Sequence, residues 1–294
     1  MESRNVPKSS VTVRELIRTN YTSLTPSERK FAQALLDNYP SAGLTSITAA
    51  ARNANVSVPT VARMINKLGF TGYPPFHHAL LQELEAKALG PTERRAKWAS
   101  EAPETHQLNR FTETVMRNLE QTFANIDSAQ FDAAVKAMAE TSSHLYVVGG
   151  RITQSLATYA FTHFQAVREH TTHMTSVSAT WPHYVLDMQK GDVLLVFDIR
   201  RYDAGLMRLA EQATREGVQV VLITDQWTSP VADWADYTFN CWVEIPSAWD
   251  SNVATMLLLE AMIAAIQEEN WPRARARYDR LEDLFDRMNL FRRS

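Results

Sequence analysis

Four runs constrain this chain more than any other feature: HLYVVGG (144–150), GDVLLVFD (191–198), VQVVLITD (218–225) and DYTFNCWVE (236–244). The first three are apolar at nearly every position rather than every second one, so both of their faces must be covered. Helical patterns lie between and around them: 105–125, 128–140, 153–168, 184–189, 204–216, a short helix after Ser229-Pro230, and 251–268. A further short strand is expected near His173–Val177. Alternation of this kind builds a parallel sheet between two helical layers. With right-handed crossovers the simplest arrangement is a five-stranded doubly wound sheet of order 2-1-3-4-5.

Ligands of such sheets sit beyond the carboxyl ends of the strands, where the order reverses. That rule selects GGRIT (149–153), SATWPH (178–183), DIRRYD (198–203), DQWTSP (225–230) and PSAWDS (246–251). These loops carry Gly150, Arg151, Thr153, Trp181, Arg200, Arg201, Trp227, Ser229 and Trp249, the candidate effector-binding residues. Arginine forks suit phosphate or carboxylate, and a helix start after two glycines adds backbone donors. The competing reading of Arg200 and Arg201 is an internal ion network with Asp198 and Asp203, and each tryptophan could equally pack a rim or a core.

The N-terminal third has a different texture. Pro26 opens a helix with Phe31, Leu35 and Leu36 at helical spacing, stopped near Pro40. A short alanine-rich helix follows at Ser46–Arg52, then a turn at Asn53-Ala54-Asn55. Ser57 is a good N-cap, Pro59 fits the first turn, and Gly69 is a good stop. Val61, Ile65 and Leu68 should face the core, which puts Thr60, Arg63 and Lys67 on another face. The pattern is a helix-turn-helix, with Ser57, Thr60, Arg63 and Lys67 as candidate DNA-binding residues and Arg63 as the leading candidate for a guanine edge. Residues 1–80 hold nine Lys/Arg against four Asp/Glu, and the rest 21 against 29. A basic head on an acidic body suits a polyanionic partner for the head; a helical module for protein docking is the alternative.

At 294 residues two domains fit comfortably. The expected boundaries are a helix-turn-helix domain at 1–89, a linker at 90–104 with proline near both ends, and an α/β ligand-binding domain at 105–294. The polar start MESRNVPKSS has no apolar core of a signal peptide, and Val253–Ile266, interrupted by Glu260, is too short to span a bilayer. One cysteine, Cys241, cannot close an internal disulfide, which fits a reducing cytoplasm, and it reads as a small buried hydrophobe. No metal and no cofactor are expected: Glu169-His170-Thr171-Thr172-His173 lacks an evident third ligand, and no P-loop or nucleophile motif appears. The tail from Asn270 has Leu281, Leu284, Phe285 and Met288 at helical spacing; it is expected to dock on its own domain or a sister subunit, its arginines being the alternative DNA contact.

Taken together, LTPSERKFAQALLDN, VSVPTVARMINKLGFTGYP, LYVVGGRITQSLA, GDVLLVFD and LITD…SPVADWAD, in that order, resemble a bacterial RpiR-type transcriptional regulator, a helix-turn-helix joined to a sugar isomerase (SIS) domain. The resemblance implies a double-stranded DNA operator, a small metabolite sensed by the SIS domain, often a phosphosugar, and a homodimer or homotetramer. Two loops depart from the family pattern. DIRRYD stands where a Ser/Thr/Gly-rich phosphate loop is usual, and Arg151 and Thr153 stand where a second glycine and a serine are common. The expected effector is therefore anionic, a carboxylate as readily as a phosphosugar. The alternative, an aldose–ketose isomerase, needs a general base; only His183 among the later histidines falls in a site loop, and Glu244 and Asp250 are not paired as acid and base.

Overall fold

The computed structural model describes residues 12–88, 90–100 and 106–291. The chain forms two compact units, Met1–Arg94 and Arg95–Ser294. The stretch read as a linker is helical over Pro91–Ser100, and its end at 101–104, like the polar start at 1–10, lies outside the described residues.

In the first unit the helices are α1 (Val13–Asn20), α2 (Pro26–Asp37), α3 (Ile47–Asn53), α4 (Val58–Lys67) and α5 (Tyr73–Ala88), with α6 (Pro91–Ser100) crossing the boundary. The starts of α1 and α2 are capping boxes, Thr12 with Glu15 and Thr25 with Glu28, each satisfying two otherwise orphaned N–H groups. Ser46 and Ser57 cap α3 and α4. Between them Asn55 takes φ 51°, a left-handed turn that asparagine tolerates. Val61, Met64 and Ile65 of α4 and its C-cap Leu68 are buried with Phe31, Leu35, Ala50 and Phe76 in one core. Burying each large apolar side chain contributes about 1.5–3 kcal/mol, so these residues fix the rotation of α4 about its axis.

The second unit opens with α7 (Gln107–Ala124) and α8 (Ser128–Ala139). It continues β1 (Leu145–Gly149), α9 (Gln154–Val167), β2 (Thr171–His173), α10 (Trp181–Asp187), β3 (Val193–Asp198), α11 (Ala204–Arg215), β4 (Gln219–Asp225), β5 (Tyr237–Cys241), α12 (Val253–Glu269) and α13 (Trp271–Met288). All pairings are parallel and the order is β2-β1-β3-β4-β5. Every residue of β1 and β3 is buried. Tyr146, Val148, Leu194, Val196, Val220 and Leu222 pack one face against Trp181, Leu206, Leu209 and Ala210 of α10 and α11. On the other side α9 packs on β1, and α12 packs on α8 and α9.

Two elements differ from expectation. β2 is shorter and earlier than 173–177, because Thr171–His173 pair with Leu145–Val147 and the chain turns away after Met174. The short fourth helix starts at Trp181 rather than Tyr184, since Pro182 is accommodated in its first turn. The C-terminal helix α13 packs on α9, with Arg273 and Arg277 held by Glu169; Leu281 and Phe285 are half-buried while Leu284 and Met288 stay exposed. Glu169 of the candidate metal cluster is thus an ion-pair partner, and His173 meets Gln154.

Gly149 closes β1 where α9 begins. A Cβ there would collide with the Thr153 carbonyl and lie 2.6 Å from the Gln154 nitrogen, whereas at Gly150 the nearest atom is 3.5 Å away. Overpacking against backbone costs about 1–3 kcal/mol. Gly149→Ala should lower the melting temperature by several degrees and Gly150→Ala should leave it within about a degree, as followed by circular dichroism; equal melting would show that the turn yields freely.

Candidate functional site

The candidate nucleic-acid interface is the outer side of α4. Positions 61, 64, 65 and 68 are buried, and the opposite stripe carries exposed Pro59, Arg63 and Asn66 with half-buried Ala62. Ser57 caps the helix through its hydroxyl, and Thr60, itself buried, shares that cap at 2.8 Å. Arg63 is exposed, its guanidinium donating to the Thr60 hydroxyl at 3.4 Å. Lys67 is exposed but engaged: its ammonium lies 2.7 Å from Glu28 and donates to the Ser23 carbonyl at 3.1 Å. The expected 60/63/67 face is thus corrected to 59/62/63/66, a rotation of roughly 80° at 100° per residue. The expected face omits Asn66 and includes Thr60, which is buried with its hydroxyl on the Ser57 cap.

The candidate ligand crevice lies at the carboxyl ends of β1, β3, β4 and β5. Two acids end the central strands there, Asp198 on β3 and Asp225 on β4, both shut away from solvent. Asp225 accepts from the Arg200 backbone N–H at 2.6 Å, the Tyr202 hydroxyl at 2.6 Å and the Trp227 N–H at 2.9 Å. Burial still pushes its carboxyl above the ordinary range, and pushes the Tyr202 phenol well up. Asp198 accepts from the Ser229 hydroxyl and the Asp203 N–H, and burial raises its pKa to about 6.

Around these acids the β3–α11 loop folds back. Arg200 and Arg201 both take left-handed φ, 35° and 51°, which is rare for arginine. The turn sends the two side chains to different environments. Arg200 is only 7% exposed, its guanidinium centre 4.0 Å from the Trp227 ring centroid. Its Nε and Nη2 bind Asp250 at 2.7 and 3.0 Å, and Glu244 lies 3.5 Å away. The ion network foreseen for Arg200 therefore exists, but with Asp250 and Glu244 instead of Asp198 and Asp203. Nothing in the sequence joins either acid to Arg200, because both come from a segment some 50 residues on. Arg201 remains exposed.

The other expected site residues divide the same way. Thr153 is buried, donating to the Phe197 carbonyl at 2.7 Å and accepting from the Gly150 N–H at 2.8 Å. Ser229 is buried on Asp198 and caps the turn at Pro230–Asp233. Trp181 and Trp227 are 5% and 6% exposed, Trp181 donating to the Thr175 carbonyl. These groups hold the loops. Arg151, Arg201 and Trp249 face solvent; Trp249 is 48% exposed and the Arg151 guanidinium lies 6.0 Å from its ring centroid. Gly150 approaches the β3 side, a Cβ there falling 3.8 Å from Asp198. The loops after β1 and β3 thus meet, as the strand order requires.

Comparison with known proteins agrees with both halves. The model of the helix-turn-helix domain of the rpiR family matches residues 11–87, and that of the SIS domain matches 138–265. The HTH-type transcriptional regulator HexR of Pseudomonas aeruginosa is 27% identical over 214 residues, 71% of this chain and 72% of the relative. Among solved structures, the sugar isomerase domain of an RpiR transcription factor from Sphaerobacter thermophilus superposes with TM-score 0.56 at 22% identity, over 60% of this chain and 97% of that one. The Vibrio vulnificus NanR protein, complexed with ManNAc-6P, gives TM-score 0.51 at 17% identity over 94% and 98%. Among the described residues no helix is long and apolar enough to cross a membrane. The chain thus carries an rpiR-family helix-turn-helix domain followed by a SIS domain, the make-up of an RpiR-type transcriptional regulator.

Proposed function

We propose that this regulator binds a double-stranded DNA operator through α4 and senses a small anionic metabolite in the crevice of its SIS domain. The observation that carries the reading is the outer stripe of α4, which bears the exposed Arg63 while every residue opposite is buried. A helix so presented suits a major groove, where Arg63 would meet a guanine edge. Ser57 and Thr60 shape the start of α4 and Lys67 fastens its end. In the crevice, Arg151, Arg201 and Trp249 are the groups open to a ligand, and Arg200, Trp227, Ser229 and Thr153 hold their loops. The ligand of the NanR structure, ManNAc-6P, makes sugar phosphates a natural first class, with sugar acids as the second.

The isomerase alternative fares worse, because the crevice acids are already committed: Asp250 and Glu244 to Arg200, Asp198 to Ser229, Asp225 to three donors. The reading includes assembly as a homodimer or homotetramer in the cytoplasm, supported by exposed apolar residues on two helices of the SIS unit: Leu108, Met116 and Phe123 on α7, Val253 and Leu257 on α12. Effector binding would then change the spacing of paired recognition helices.

Operator selected from a random pool should bind the Arg63→Ala protein about 1–3 kcal/mol more weakly, with relaxed choice at one guanine. Unchanged footprints would remove Arg63 from the interface. In a thermal-shift screen of sugar phosphates and sugar acids, a ligand at 100 times its Kd should stabilise the wild-type protein by about 2.7 kcal/mol. Arg151→Ala with Arg201→Ala should abolish that shift without lowering the ligand-free melting point. Arg200→Ala should lower the melting point itself, since removing one partner of a buried pair costs about 3–5 kcal/mol. A ligand response surviving in the double variant would move the effector away from this crevice.

A further inference from the structure

Resting on the DNA-binding reading above, we infer that Asn66 is a second specificity-determining residue, pairing with an adenine edge on the base pair next to the guanine read by Arg63. On the helix Pro59, Ala62, Arg63 and Asn66 fall at i, i+3, i+4 and i+7, a single stripe. Its mirror, Val61, Met64, Ile65 and Leu68, is the buried stripe, so the outward direction of Asn66 is fixed by the core rather than by its own contacts. Asn66 is exposed, and among the described residues its side chain makes no hydrogen bond. Lys67, one residue on, is turned to the flank and tied to Glu28 and Ser23.

The chemistry and the spacing agree. Asparagine offers one donor and one acceptor side by side, the complement of adenine N7 and N6, as the arginine fork complements guanine O6 and N7. Arg63 and Asn66 are separated by roughly 4.5 Å along the helix axis, slightly more than the roughly 3.4 Å step between base pairs, so they address neighbouring pairs. The rest of the stripe is small and apolar. Pro59 and Ala62 allow close approach and present only carbon to the groove, and a side chain such as Ala62 suits a thymine methyl. A lysine at position 67, held against a carboxylate, is poorly placed to compete with Asn66 for a base.

The test is a set of operators altered one base pair at a time, titrated with the full-length wild-type protein and with Asn66→Ala, Asn66→Arg and Lys67→Met. Wild type should prefer adenine at the pair adjoining the guanine that Arg63→Ala makes indifferent. Asn66→Ala should level the four bases at that pair alone, weakening the best operator by roughly ten- to a hundredfold, with its melting curve unchanged. Asn66→Arg should switch the preference there to guanine, and Lys67→Met should rank the bases as wild type does. Retained adenine preference in both Asn66 variants, or a pair levelled by Lys67→Met, overturns the assignment. If the wild-type protein shows no base preference at any pair, the DNA-binding reading fails first and takes this inference with it.

Discussion

Two carboxyl groups at the ends of β3 and β4 are kept from water, and the loops above them are arranged accordingly. A buried carboxylate without donors costs several kcal/mol, so its surroundings must supply them. Asp225 draws in the Arg200 and Trp227 N–H groups and the Tyr202 hydroxyl, which binds the β3–α11 loop to the loop after β4. Asp198 does the same for Ser229 and Asp203, and the Thr224 hydroxyl closes the layer on the Asp198 carbonyl. Meeting the Asp225 demand holds Arg200 at positive φ, and that turn in turn sends its guanidinium back over Trp227 to Asp250. One buried acid thus orders three loops. The strain of a non-glycine residue at positive φ, about 1–3 kcal/mol, is outweighed by the three charge-assisted bonds it permits.

Much of this was legible because the strands say so plainly. LLVF and VVLI can only be covered on both faces, and the parallel five-stranded order follows from the alternation. The individual fates of the loop side chains were not legible. Arg200 and Arg201 are identical in type and adjacent in sequence, yet one is buried and one exposed, because the choice depends on Asp225 and Asp250, 25 and 50 residues away. Trp181, Trp227 and Trp249 illustrate the same limit. Position in a loop does not tell whether the next layer covers the ring, and α11 does cover Trp181, against Gly205.

On α4 the limit was narrower. The buried face is readable from Val61, Ile65 and Leu68, but the outer face expected beside it includes Thr60, a polar residue. Thr60 is polar and yet buried because its hydroxyl has a partner in Ser57. A polar side chain with a local partner says nothing about which way a helix faces; its apolar opposite does. Starting from Met64, midway along the buried stripe, leads directly to Ala62 and Asn66 on the other side.

The same distinction, between polar groups already satisfied and those left open, bears on the proposal that the SIS crevice takes an anion. Arg200 is the most deeply placed cation there, but an incoming anion would have to displace Asp250 from a bidentate contact and leave that carboxylate stranded. Arg151 and Arg201 carry no such obligation among the described residues. Being exposed, each would contribute only about 0–1 kcal/mol to a simple ion pair, so charge alone gives little affinity. Contact area must add to it, and Trp249, half open beside Arg151, is the surface available. A ligand with an anionic end and a face that can lie on an indole meets both conditions. Because the Arg200–Asp250 tie already joins the β3–α11 loop to the loop before α12, such a ligand would meet a site whose ordering cost is mostly met in advance. Its binding free energy is then free to favour one arrangement of the protein over another, which is the condition for an effector to act at a distance.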